Sequence, residues 1–168
     1  MTRIPLSSRE PVRQVPRVPG AAQRVAFHTR ADKDGAMMGR LHHVVIDGPD
    51  PLRLATFYSA ILGWPVTYQD EGWVVIAQND TSSGIAFQRA PNHQPPRWPD
   101  PNFPQQLHLD IMVDDVAEAE PEVLALGATP LPGTSTTSRV YADPAGHPFC
   151  LIPRPGWAAP IHPTTDAT

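Results

Sequence analysis

Residues 42–50 read HHVVIDGPD and residues 107–115 read LHLDIMVDD. Both are short apolar runs, rich in Val, Ile and Leu, of the kind that forms a buried strand. Each carries a histidine seven residues ahead of an aspartate: His43 before Asp50, and His108 before Asp115. Asp50 supplies an N-cap oxygen and Pro51 the preset φ of a first helical position, so PLRLATFYSAIL is read as a helix. Leu54, Phe57, Tyr58, Ile61 and Leu62 form its apolar stripe, and Gly63 can take the left-handed conformation that stops it. Three short strand candidates follow, WPVTYQ, WVVIAQ and GIAFQRA, separated by polar or glycine-containing turns. The order is β-α-β-β-β.

The second run opens the same plan again. Asp115 caps VAEAEPEVLALG as a helix, with Val116, Ala119, Val123 and Leu126 on one side and Gly127 as the stop. The stopping glycines lie twenty and nineteen residues beyond His43 and His108. Matching offsets of this kind are the mark of an internal repeat. Pro121 is a misfit that predicts a kink or a delayed start, because inside a helix it deletes a hydrogen bond. Strand candidates follow near ATPLP, SRVYAD and HPFCLIP. Asp143-Pro144-Ala145-Gly146 between the last two is a tight-turn sequence, read as structural, with His147 as a turn hydrogen-bonder.

Composition bounds the rest. A chain of 168 residues, 40% of them hydrophobic, supports one globular domain. Its 22 prolines concentrate in the first twenty residues, in 91–106 and from Pro153 onward. The expected organisation is a disordered extension over 1–40, module one over 41–90, an extended proline-rich linker over 91–106, module two over 107–153 and a disordered tail over 154–168. Residues 1–40 carry eight of the thirteen basic side chains against three acids, and the remainder has five Arg against fourteen acids. So acidic a body argues against nucleic-acid binding. Neither a membrane span nor a secretory h-region is evident, and Met37 or Met38, just before the first strand, is a candidate translation start. The single cysteine, Cys150, fits a reducing cytoplasm.

Alternation along the strands assigns faces. Leu107, Leu109, Ile111 and Val113 form a helix-covered face, leaving His108, Asp110 and Met112 on the other. His42, Val44 and Ile46 match the first set, and His43, Val45 and Asp47 the second. In the closing strands Ile85 and Phe87 pair with Phe149 and Leu151, leaving Gln88 and Cys150 on the histidine side. Pseudosymmetry is expected to bring His43, Gln88, His108 and Cys150 toward one centre, with Trp98 of the linker as an aromatic wall.

In this order HHVVIDGPDP, FYSAILGW, PPRWPDPNFPQQLHLDIMVDD, ALGA and YADPAGHPFCLI resemble the vicinal oxygen chelate superfamily, and more closely its glyoxalase-like domains, over about Leu41 to Pro153. The resemblance implies an α+β fold in which two βαβββ modules form a curved sheet around a shared cavity. It also implies a site for a divalent metal with ligands on the first and last strands of each module, positions matching His43, Gln88, His108 and Cys150. His43 and His108 are retained there as metal ligands, while both family glutamates are replaced, by Gln88 and Cys150. A His and Cys set with an oxygen from Asp110 or Asp47 suits zinc, and iron and nickel stay open. Lyase, isomerase or dioxygenase chemistry on a small organic molecule would use His43, His108 or Asp110 to move a proton, with Trp98, Gln88, Met112 and Cys150 lining the substrate. The alternative is a non-catalytic binder of the bleomycin-resistance type. Relatives that pair or exchange modules imply a homodimer as one arrangement.

Overall fold

The computed structural model describes residues 39–133 and 135–162. The expected N-terminal extension and the candidate start at Met37 or Met38 therefore lie outside the described residues, except for Gly39 and Arg40. The elements run β1 (His43–Gly48), α1 (Pro51–Leu62), β2 (Val66–Gln69), β3 (Trp73–Ala77), β4 (Gly84–Arg89), β5 (Leu109–Val113), α2 (Val116–Ala125), β6 (Thr129–Leu131), β7 (Arg139–Ala142) and β8 (Pro148–Pro153). This is the expected βαβββ unit twice over. The sheets are ordered β1-β4-β3-β2 and β5-β8-β7-β6, so in each module the first and last strands are parallel neighbours at one edge.

Local chemistry sets the helix ends. The Asp50 carboxylate accepts from Arg53 N–H at 2.9 Å, and Gly63 closes α1 with φ +66°. Asp115 accepts from Ala117 and Glu118 N–H at 2.7 and 3.1 Å. Helix α2 stops at Ala125, and Leu126, placed by sequence on the buried stripe, is instead exposed at the helix end. Pro121 sits within α2 without ending it. His42, assigned to the helix-covered set, precedes β1 and is exposed, because the strand and its cover begin one residue later.

One core joins the modules. The Leu54, Phe57 and Tyr58 side of α1 is buried with Val74, Ile76 and Phe87 of its own sheet and with Tyr141, Phe149 and Leu151 of the other. Tyr58 stacks on Phe87 at 5.6 Å and meets Phe149 edge-on at 6.3 Å. Residues 91–108 contain no helix or strand, as their prolines dictate. Arg154–His162, assigned by composition to the disordered tail, return to Asp114, which accepts from Arg154, Ile161 N–H and His162 N–H. Among the described residues, no helix is long and apolar enough to cross a membrane.

Candidate functional site

Strand register decides which of the expected residues can meet. In module two Asp110 pairs with Cys150, and in module one Val45, the residue equivalent to Asp110, pairs with Ala86. The module-one counterpart of Cys150 is therefore Ala86, not Gln88. Gln88 pairs with Asp47, four residues beyond His43 along the strand, a separation of about 13 Å at the usual rise. The expected four-residue centre is thus replaced by two separate groups.

The first group belongs to module two. Ligand atoms of His108, Asp110 and Cys150 all lie within 4.8 Å of one another. His108 Nε2 is 3.3 Å from Asp110 Oδ1, and Gln105 Nε2 is 3.2 Å from His108 Nδ1. In a neutral ring Nδ1 can accept from the Gln105 amide, while Asp110 lies beside Nε2 as a charge contact. Burial, and then the adjacent Asp110 carboxylate, push the Cys150 thiol up to about 11, so it is held as S–H. The donor set of imidazole nitrogen, carboxylate oxygen and sulfur fits a borderline divalent ion such as zinc, which would have to displace that thiol proton. His43 stands apart from this cluster, its ring 3.8 Å from His42 and 6.5 Å from Trp73. Burial, and then His42, lower its pKa and favour the neutral ring. Met112 pairs with Ile152, one step further along the open face.

The second group surrounds a cavity of about 620 Å³ where the modules meet under the linker. Its walls come from β1 (Val45, Ile46, Asp47), Gln88, the linker (His93–Pro96 and Phe103–Gln106), Leu109 and the β7–β8 turn (His147). Of the residues expected to form the site, Gln88 lines this cavity; His43, His108, Asp110, Met112, Cys150 and Trp98 do not. Trp98 donates Nε1–H to the Pro132 carbonyl at 2.6 Å and so ties the linker to module two.

Sequence reasoning missed the polar network behind this cavity. Asp143 is almost fully buried and accepts four hydrogen bonds: Ala145 N–H and His147 N–H on Oδ1, and Tyr58 O–H and His147 Nδ1–H on Oδ2, all within 3.0 Å. Burial pushes Asp143 up, but the hydrogen bonds from His147 and from the Ala145 and His147 N–H groups outweigh it and hold the carboxyl low. Burial, then Asp143, raise Tyr58, keeping its O–H a donor. His93 Nε2 lies 3.1 Å from the Ala145 carbonyl, and its ring is 4.7 Å from that of His147. The Asp-Pro-Ala-Gly turn is present as expected, with Gly146 N–H bonded to the Asp143 carbonyl at 2.9 Å. The sequence signal for the network was Tyr58, a phenol on a helical stripe otherwise built of hydrocarbon.

Paired βαβββ modules with parallel first and last strands and a cavity at their junction define a protein of the vicinal oxygen chelate class. The glyoxalase-like domain model matches residues 43–152, and the chain belongs to that family. No curated protein matches the sequence. Solved structures show the same fold at low identity. A glyoxalase/bleomycin resistance protein/dioxygenase family enzyme from Burkholderia phytofirmans PsJN is 18% identical at a TM-score of 0.54, covering 68% of this chain and 98% of its own. The fosfomycin resistance protein FosX of Listeria monocytogenes is 16% identical at 0.53, covering 72% and 98%. The trypanothione-dependent glyoxalase I of Leishmania major is 18% identical at 0.51, covering 68% and 86%.

Proposed function

We propose that this chain acts on a small organic molecule held in the cavity between its modules. The observation that supports this reading best is the cavity itself: about 620 Å³, with apolar walls and a few convergent polar groups, which is the usual form of a small-molecule site. Where a divalent metal is bound, His108, Asp110 and Cys150 would hold it. When bound, it supplies Lewis-acid polarisation of a substrate oxygen. His108 Nε2 lies 3.3 Å from Asp110 Oδ1, and Gln105 both touches His108 and lines the cavity, which connects the two groups. Lyase, isomerase and dioxygenase chemistry all remain within this reading, with His108 or Asp110 moving the proton.

One observation favours a second reading, a binding protein without chemistry. Module one offers Val45 and Ala86 where module two offers Asp110 and Cys150, so half of the symmetric ligand set is hydrocarbon. Elemental analysis of the purified protein, incubated with zinc, iron or nickel, separates the readings. Near-stoichiometric metal that disappears in His108→Ala and in Cys150→Ala but persists in His43→Ala supports the module-two site. Loss in His43→Ala as well would restore the two-histidine arrangement, and no metal in any protein would favour the binder.

The reading extends to place and partners. A lone thiol suits a reducing cytoplasm. A second copy of the chain is the macromolecular partner we propose, because Val45 and Met112 leave apolar side chains exposed on the open sheet faces. Light scattering at twice the 18.3 kDa chain mass supports a homodimer, and a monomer mass removes it.

A further inference from the structure

The polar groups of the cavity are unusual in sign. Among the described residues that line it there is no Lys or Arg, while Asp47 contributes an exposed carboxylate. The orientation of the other groups follows from their partners. His147 Nδ1 faces the Asp143 carboxylate, an acceptor, so Nδ1 carries the proton and Nε2 of the neutral ring keeps a lone pair. His93 Nε2 faces the Ala145 carbonyl, also an acceptor, so Nδ1 of its neutral ring keeps the lone pair. Gln105 directs its amide N–H to His108, which leaves Oε1 buried with no hydrogen-bond partner. Oε1 is closed off from the cavity space, so Gln105 offers a ligand no free acceptor there. Asp143 cannot compete for a ligand, since its four acceptor positions are filled from Tyr58, Ala145 and His147. Its effect is to lock the His147 tautomer.

We infer that the cavity is an acceptor-lined site for an uncharged or cationic molecule with an apolar body and at least one O–H or N–H donor, read by His147 Nε2, His93 Nδ1 and Asp47. This rests on the cavity being the ligand site, as proposed above, and narrows its ligand class. An anion is disfavoured twice: no cation faces it, and the Asp47 carboxylate repels it.

Four probes of one size and different polarity test this on the full chain: benzylamine (a cationic donor), benzyl alcohol (a neutral donor), anisole (neutral, acceptor only) and benzoate (an anion). Each is titrated at pH 8, where neutral imidazole is the ordinary form, while the ring carbon-hydrogen resonances of a histidine-labelled sample are followed. The expected result is that benzylamine and benzyl alcohol shift the His93 and His147 signals at concentrations about fivefold lower than anisole or benzoate, the weight of one hydrogen bond. His147→Phe should bring benzyl alcohol down to the level of anisole and leave anisole unchanged. His93→Phe gives the same reading should loss of the Asp143 partner unfold the first variant. Benzoate or anisole binding as tightly as the donors overturns the acceptor wall but leaves the cavity as the ligand site. If none of the four moves a signal from the cavity, the ligand-site reading falls, and this inference with it.

Discussion

Asp143 shows how one buried side chain can carry both architecture and chemistry. Four hydrogen bonds, two of them from the turn backbone, make it cheaper to bury as an anion than as an acid. Replacing it by Asn keeps the shape but turns one acceptor into a donor facing donors. Asp143→Asn should therefore cost about 2–3 kcal/mol in urea unfolding at neutral pH, within the range for buried hydrogen bonds to a charged group. The sign of the pH effect follows from its lowered folded pKa. Between the folded and unfolded values the unfolded chain binds more protons, so stability rises with pH there. The Asp143 contribution is complete above about pH 4 and is lost as pH falls through the lower folded value. The variant should have a flatter acid limb in the same assay. Cys150 offers a second check at this scale. Because burial and Asp110 hold the thiol protonated, alkylation by iodoacetamide at pH 8 should be slow. Asp110→Asn removes the negative neighbour and should speed it, and an unchanged rate would mean that burial alone controls the thiol.

The two modules invest unequally in their helices. Helix α1 buries Pro51, Leu54, Ala55, Phe57 and Tyr58, whereas α2 buries Val123. Pro121 adds to the difference by leaving an α2 carbonyl without its donor. Pro121→Ala restores that N–H at an exposed position and should stabilise the protein by about 1–3 kcal/mol in thermal or urea unfolding. No gain would mean that the helix has already adjusted around the ring. At β4 the opposite limit applies. A Cβ at Gly84 would run into the Ile76 backbone carbonyl and the Ala77 Cβ of the neighbouring strand. Gly84→Ala has no soft side chain to push aside, so β3 and β4 must separate locally. A loss of soluble protein or a marked fall in Tm is the expected outcome.

At the scale of the whole molecule, the linker is what converts two modules into a cavity. It is held on three sides: Trp98 bonds to Pro132, His93 bonds to Ala145, and Pro95 packs on Gly146. Gly146 has φ +93°, and a Cβ there would also meet Pro95 Cβ at 2.6 Å. Gly146→Ala thus strains the turn and lifts the linker from one contact. Limited proteolysis should cut 91–106 faster in this variant than in the parent protein. Equal rates would show that Trp98 and His93 suffice to hold it.

Fold class was legible in the sequence because strands, caps and helix stops depend on neighbours a few residues apart, and the same spacing occurs twice. His43 and Asp50, His108 and Asp115, and the stops at Gly63 and Gly127 therefore place both modules without reference to any distant contact. Alternation also assigns faces within the strands, since it needs only their two-residue period; it fails at His42 and Leu107, which precede their strands and are exposed. The site was legible in part. Cys150 beside His108 and Asp110 follows from the second module, and Gln88 does reach the cavity. Alternation cannot say how far one strand is slid along another, so Ala86 rather than Gln88 as the partner of Cys150 was decided only by register. The network of Tyr58, His93, Asp143 and His147 joins a helix, a linker and a turn, with the Tyr58–Asp143 bond spanning 85 residues. No local period encodes such a meeting; it arises when α1 crosses from its own sheet to pack on Phe149, which is a property of the folded core.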